Sequence, residues 1–304
     1  MRTNIFKILS EEFAANHFIR IEDNKNICLY VGKDELGCYS FDFRGNFKIS
    51  RISSSDFLRV IHLTCGDEKF LRFSLSNSDL LEYFCTFCED LILSTIVVSD
   101  DNTAYQILKE RYFSWKQLFR PNQGNLTEPE IMGLIGELLF LKDKMIPLKG
   151  VDVALDSWVG PEKTHKDFSC DDDWYEVKTI NYGKESVRIS SIEQLDAIKD
   201  GQLIIYSLER MSSSFNGLKL NDIVNTMIGI FQSSHLKDLF LAKLSLYGFD
   251  FASENDNYVY DLREISVYNV SKDFPKLKRE LLPDAIIKVQ YDINISDIEN
   301  YRVS

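Results

Sequence analysis

The chain has 304 residues, 44% of them hydrophobic and 27% charged, with a formal net charge of -12. This is the composition of an ordinary soluble protein, long enough for two or three domains. No apolar run approaches the ~18–20 residues needed to span a bilayer, and the acidic balance speaks against an autonomous nucleic-acid binder, which usually carries a basic face.

The N-terminal Met1-Arg2-Thr3-Asn4-Ile5-Phe6-Lys7 lacks the apolar core and cleavage site of a signal peptide. Six cysteines, Cys28, Cys38, Cys65, Cys85, Cys88 and Cys170, are scattered through apolar segments as reduced thiols of a cytoplasmic protein would be. Residues up to about 76 read as β-rich. Ile27–Val31 and Cys38–Phe43 flank a Gly-containing turn, and Phe57–Leu63 and Lys69–Leu75 flank Cys65-Gly66-Asp67. Helices are expected over Leu80–Thr95 and Thr103–Phe119. In the first, Cys85 and Cys88 are three residues apart on the core face, and no second Cys pair accompanies them as a zinc site would require. His17, His62 and His235 have no ligand-spaced neighbours and read as structural. Pro121-Asn122-Gln123-Gly124-Asn125 is the clearest punctuation, so the main boundary is placed there.

A helix should begin next. Thr127-Glu128-Pro129-Glu130 has capping-box spacing with Pro in the first turn. The run Ile131 to Leu141 is apolar nearly all round, which predicts a buried helix with Glu137 as the one charge in its middle. Gly133 and Gly136 weaken helix propensity and suggest close approach of another backbone. A hairpin follows, from His165-Lys166-Asp167-Phe168 through the acidic Asp171-Asp172-Asp173 to Trp174-Tyr175-Glu176-Val177-Lys178-Thr179-Ile180. Pairing of Phe168 with Tyr175 sets Asp167 opposite Glu176, while Glu176 and Lys178 share one sheet face. Carboxylates facing each other at roughly 5 Å repel unless a cation sits between them. Two other acid-x-Lys tripeptides, Asp23-Asn24-Lys25 and Asp67-Glu68-Lys69, lie in turn-like surroundings and read as solvated. The plain alternative for Glu176 and Lys178 is a half-exposed edge strand facing water.

After the hairpin, Val187–Ser191 reads as a short strand, Ile192–Lys199 as a helix and Leu203–Leu208 as an apolar interior strand. Helices are expected at Leu220–Phe231 and His235–Tyr247. Strands are expected at Tyr258–Val270 and Ala285–Ile293, the latter alternating Ile287, Val289, Tyr291 and Ile293 on one face. Helices followed by a β-pair fit either a winged-helix-like reader of DNA or an extension of the core. The expected fold is α/β (α+β), with a β-rich N-terminal domain and its helices at 1–120, a core at 126–210 and an α+β extension at 211–304.

Asp167, Glu176-Val177-Lys178 and the upstream Glu137 together resemble the signature of the PD-(D/E)XK nuclease superfamily, with Lys166 standing where that signature often has Pro. Gly136-Glu137 with Leu-Leu-Phe-Leu, Trp158-Val159-Gly160-Pro161 and the Asp273-Phe274-Pro275 region are similar to a bacterial group classed as PD-(D/E)XK members, often found near phage-defence and restriction genes. The resemblance implies a restriction-endonuclease-like core, a mixed sheet flanked by helices, and Mg²⁺-dependent phosphodiester hydrolysis with Mn²⁺ as a substitute. In that reading Asp167, Glu176 and the Val177 carbonyl ligate the ion, Lys178 orients water or offsets charge, and Glu137 ligates a second ion or anchors water. Gln194 resembles an accessory Gln of some branches, although Ile198 stands where their Tyr would follow, and His165 is placed to contact phosphate. The implied substrate is nucleic acid, foremost double-stranded DNA in restriction or phage defence, with partner subunits or a homo-oligomer offsetting the chain's acidity and no membrane involved. The rival reading is a catalytically silent nuclease-fold scaffold subunit of a defence complex.

Overall fold

A computed structural model describes residues 4–10, 13–118, 126–162, 164–171, 173–251 and 254–303. The expected loop at 121–125, the end of the second helix at Phe119 and Asp172 of the acidic turn lie outside the described residues. The chain divides into one unit of residues 1–124 with 249–253 and another of residues 125–248 with 254–304. No helix among the described residues is long and apolar enough to cross a membrane.

The first unit contains α1 (Ile5–Leu9), β1 (His17–Ile21), β2 (Cys28–Lys33), β3 (Tyr39–Gly45), β4 (Leu58–Cys65), β5 (Glu68–Leu75), α2 (Leu81–Thr95) and α3 (Asp101–Lys116). Its strands form one antiparallel sheet in the order β1-β2-β3-β5-β4. Alternation decides which face is covered. Phe41, Phe43, Leu71 and Phe73 are fully buried, and the Phe73 ring meets Phe87 of α2 at 5.5 Å and Tyr112 of α3 at 5.2 Å. Their neighbours along the strands, Asp42 and Arg72, pair across the opposite face. The sequence pattern foresees neither α1 nor β1, because β1 buries only Ile21 and so shows no alternation. Cys85 and Cys88 are both buried in the core face of α2, and burial pushes the Cys85 thiol up to about 12, too high for a reactive thiolate.

The second unit is a mixed α/β assembly. It runs α4 (Glu128–Phe140), a π-helical turn (Leu141–Met145), α5 (Ile146–Lys149), α6 (Val151–Ser157), β6 (Phe168–Cys170), β7 (Asp173–Asn181), β8 (Ser186–Ile189) and β9 (Gly201–Met211). Then come α7 (Leu220–Ile230), α8 (Ser234–Tyr247), β10 (Val259–Val270) and β11 (Tyr291–Asn294). The central sheet has the order β10-β9-β7-β6, with β7 and β9 parallel and the outer pairs antiparallel. One face is covered by α4. A Cβ on Gly136 would stand 2.4 Å from Thr179 Cγ2 and 3.5 Å from Val177, so only glycine lets the helix lie this close. The expected close approach is therefore real, but Gly136 meets a side chain, and Gly133 meets the Tyr247 hydroxyl, where backbone was expected. The other face carries Trp174, Ile180, Leu203 and Ile205, packed with Val187 and Ile189 of β8 and Ile293 of β11.

Two expected elements are corrected. The helix at Ile192–Lys199 is only a 3-10 turn at Ile192–Gln194, because tertiary partners take the groups that a helix would pair internally. The Glu193 and Gln194 carbonyls accept from Lys166 Nζ at 2.7 and 2.6 Å, and the Lys199 carbonyl accepts from Trp174 Nε1 at 2.9 Å. The strand at Ala285–Ile293 shrinks to β11, with Ile287 exposed. Nor do the two C-terminal strands form a pair: β10 adds to β9 as an extension of the central sheet, and β11 joins β8 in a separate ribbon. Alternating apolar residues make a strand only where a free edge accepts their backbone groups.

Candidate active site

The hairpin of β6 and β7 has the register that the sequence predicts, with Phe168 opposite Tyr175 and Cys170 opposite Asp173. Asp171 takes the left-handed conformation, φ 50°, which Asp tolerates better than most residues. Asp167 lies just before β6, and its Oδ2 accepts the Val177 N–H at 2.8 Å. Strand parity puts Trp174, Glu176, Lys178 and Ile180 on the sheet face away from α4, with Tyr175, Val177 and Thr179 beneath the helix.

Glu176 is 0% exposed although it carries a carboxylate. Lys178 Nζ stands 2.7 Å from its Oε1 as an ion pair, but off the angle of a directed hydrogen bond, and among the described residues neither Glu176 oxygen has a hydrogen-bond partner. Burial, followed by the charge of Asp167, pushes the Glu176 carboxyl up to about 8, with Lys178 opposing. Burial also raises Asp167, against the pull of Lys178. For Lys178 burial disfavours the cation, yet Glu176 and Asp167 together outweigh it and hold the ammonium above its ordinary value.

Glu137 reaches this edge of the sheet from α4. The helix starts with the expected capping box, in which Glu130 Oε2 accepts from the Thr127 N–H at 2.8 Å and from its hydroxyl at 2.7 Å. Glu137 is buried, and Trp158 Nε1 donates to its Oε2 at 2.7 Å while the Tyr247 hydroxyl reaches Oε1 at 3.3 Å. Burial drives its carboxyl well above the usual range, with Asp167 and Glu176 adding to the rise. Gly160 forms the floor between the acids: a Cβ there would stand 2.6 Å from Glu137 Oε2 and 3.3 Å from Asp167 Oδ1. Any larger residue would fill that cradle.

Glu137, Asp167, Glu176 and Lys178 thus form one electrostatic cluster, with Asp167 between Glu137 and the β7 pair. Among the described residues no three His, Cys, Asp or Glu side chains converge closely enough to grip a metal ion. The donor set still suits a hard divalent cation. It comprises carboxylate oxygens, two of them buried without a hydrogen bond, around a glycine-floored gap. The Val177 N–H points to Asp167, and because a strand residue presents its N–H and C=O to the same edge, its carbonyl faces that way too.

Gln194 and His165 stand differently. The Gln194 side-chain oxygen accepts the Ser190 N–H at 2.7 Å and so closes a turn, while His165 is exposed and acts electrostatically on Glu193. Sequence reasoning missed the partners of Glu137. Trp158 and Tyr247 come from distant segments, and the only local signal was the Trp-Val-Gly-Pro string at 158–161. It also missed Lys166 as a clasp, with its Nζ 3.8 Å from the Trp174 ring centroid and bonded to two carbonyls of the 192–194 turn.

A family model described as "Putative PD-(D/E)XK family member, (DUF4420)" matches residues 3–296. No curated protein matches the chain, and no solved structure does. With the acidic hairpin inside a match that spans nearly the whole sequence, the chain belongs to this PD-(D/E)XK family.

Proposed function

We propose that the second unit is a phosphodiester hydrolase that works with a divalent metal, Mg²⁺ or its substitute Mn²⁺, and that its substrate is DNA. One observation carries the reading: Glu176 is fully buried beside Asp167 and Lys178, with no hydrogen bond to either carboxylate oxygen. A purely structural acid at such a depth is expected to have its oxygens saturated by hydrogen bonds, whereas this one has a single ammonium beside it and a second acid nearby. Asp167, Glu176 and the Val177 carbonyl would hold the cation, and Glu137 would hold a second cation or orient water. When bound, the ion supplies Lewis acidity toward the phosphate and lowers the pKa of water near it. Lys178 keeps its proton and offsets charge that develops on the phosphoryl oxygens. Trp158 fixes the Glu137 carboxylate, and the Val177 N–H fixes that of Asp167, so neither needs to reorient during reaction.

The family's resemblance to restriction enzymes supports a role in restriction or phage defence, with residues 126–210 as the nuclease core between a 1–120 domain and a 211–304 extension. Net charge -12 supports a need for partner subunits or self-association to hold DNA firmly. The test is cleavage of plasmid DNA with Mg²⁺ or Mn²⁺, by the chain alone and with the subunits that co-purify with it. Asp167→Ala and Glu176→Ala should abolish cleavage and weaken metal binding in calorimetry. Lys178→Ala should abolish cleavage and keep metal binding. Full activity in all three variants, with no metal-dependent shift in the wild-type melt, would falsify the enzyme reading and favour a silent scaffold.

A further inference from the structure

A second concentration of charge lies on the sheet face that carries Glu176 and Lys178. A cavity of about 690 Å³ is lined by Lys272, Lys276, Lys278 and Arg279, together with Asp196, Asp200, Glu280 and the fully exposed Ile198. Residues 272–279 carry four cations and one carboxylate, Asp273, in an otherwise acidic chain. Among the described residues none of the four forms an ion pair, although three carboxylates line the same cavity. Asp196 is engaged by the Arg279 backbone N–H at 3.0 Å, and the Arg279 guanidinium donates to the Ile286 carbonyl, so the segment is pinned while its lysines stay free of salt bridges.

One wall of the cavity is fastened to residues next to the candidate active site. Trp174, two residues before Glu176, fastens the 192–200 loop through the Lys199 carbonyl, and Lys166, adjacent to Asp167, clasps the same loop at Glu193 and Gln194. Lys166 and Lys276 are close enough to repel each other, as are Lys276 and Lys278. Burial holds Lys276 below the usual lysine value, with Asp196 and Asp200 opposing the fall and Lys278 adding to it. Lysines that line one cavity without forming a salt bridge gain stability from a polyanion laid against them. Lysines spaced at 272, 276 and 278 along one segment suit successive phosphates, whereas a single small anion calls for convergent donors. Ile198 adds an apolar contact for a sugar or base.

We propose that this cavity is the track for the sugar–phosphate backbone of a nucleic-acid strand leading away from Asp167, Glu176 and Lys178, with Lys272, Lys276 and Lys278 meeting successive phosphates. It rests on the phosphodiesterase reading for the identity of the anion.

The test measures fluorescence anisotropy of labelled 20-nucleotide single-stranded and 20-base-pair DNA with the full chain, without divalent metal, from 50 to 200 mM salt. Wild-type binding is expected in the micromolar range of non-specific contacts. The triple variant Lys272→Gln/Lys276→Gln/Lys278→Gln should bind at least about tenfold more weakly and lower the salt slope by roughly 2–3, at ~0.7–0.9 per phosphate contact. The control Lys142→Gln/Lys144→Gln/Lys219→Gln removes three lysines from the α4 and α7 side and should bind as wild type does. The proposal is overturned if wild type binds neither DNA, if the triple variant keeps wild-type affinity and slope, or if the control loses as much. The two readings separate cleanly. Lysine-dependent binding without metal-dependent cleavage would leave the track standing and sink the enzyme. Cleavage that requires Glu176 but is indifferent to the triple variant would do the reverse.

Discussion

Two buried clusters of charge, one in each unit, are built from similar parts and satisfied to different degrees. On the sheet of the first unit, Asp42 is 0% exposed and both its oxygens are engaged. Arg72 reaches them bidentately at 2.7 and 2.8 Å and Arg44 adds a contact at 3.3 Å, while Arg72 also bonds Glu35 at 2.7 Å. Phe18 lies against both guanidinium groups, at 5.4 Å from Arg44 and 4.7 Å from Arg72. In the second unit, Glu176 is equally buried, but it has one ammonium beside it, a second carboxylate close by and no directed hydrogen bond. Burial alone therefore does not mark a functional charge. What distinguishes the two is whether the protein supplies enough partners, because a low-dielectric interior makes any shortfall expensive.

That contrast can be broken by mutation. Asp42→Ala leaves Arg72 buried with most of its counter-charge gone, and should cost about 3–5 kcal/mol in urea denaturation. Glu176→Gln, measured in a chelator, should leave stability unchanged or raise it, since it removes one of two repelling acids. Equal losses in both variants would mean that Glu176 is as well satisfied as Asp42, and the distinction would collapse.

The pH dependence sharpens the same point. The Glu176 carboxyl titrates at about 8 in the fold, against an ordinary value of 4.5. Between those values the folded state holds a proton that the unfolded chain has released, so stability is greatest at the acidic end and is lost as pH rises toward 8. Asp167, also raised, acts in the same direction. Metal-free protein should lose a few kcal/mol between pH 5 and pH 8. Glu176→Gln should flatten much of that slope, and Mg²⁺ should raise the wild-type melting temperature more at pH 8 than at pH 5. An unchanged slope in Glu176→Gln would remove the carboxyl cluster from the account.

The smallest effect tests a pair that is both exposed and satisfied. Thr127→Ala removes the hydroxyl bond to Glu130 at the start of α4 while the backbone N–H bond to the same carboxylate remains, and should lower stability by about 1 kcal/mol. Cleavage should persist, because the anchoring of Glu137 by Trp158 and Tyr247 does not depend on the cap. Loss of cleavage with a normal melt would show that the cap positions the acid.

The sequence by itself determined whatever local chemistry specifies. The capped helix follows from Thr127, Pro129 and Glu130, and the hairpin register follows from an acidic turn between two short apolar runs. Period-2 geometry then fixes Glu176 and Lys178 on one face, so the central triad of the candidate site was legible residue by residue. Only the tertiary structure decided the remainder. The segment 192–199 has a helical pattern, yet its carbonyls are captured by Lys166 and Trp174. The run 285–290 alternates, yet no sheet edge receives it. Trp158, Gly160 and Tyr247 gather around Glu137 from segments up to 110 residues away. Periodicity reports which side of an element is apolar, but the competition between distant groups for one carbonyl or one carboxylate is settled only when the chain has folded.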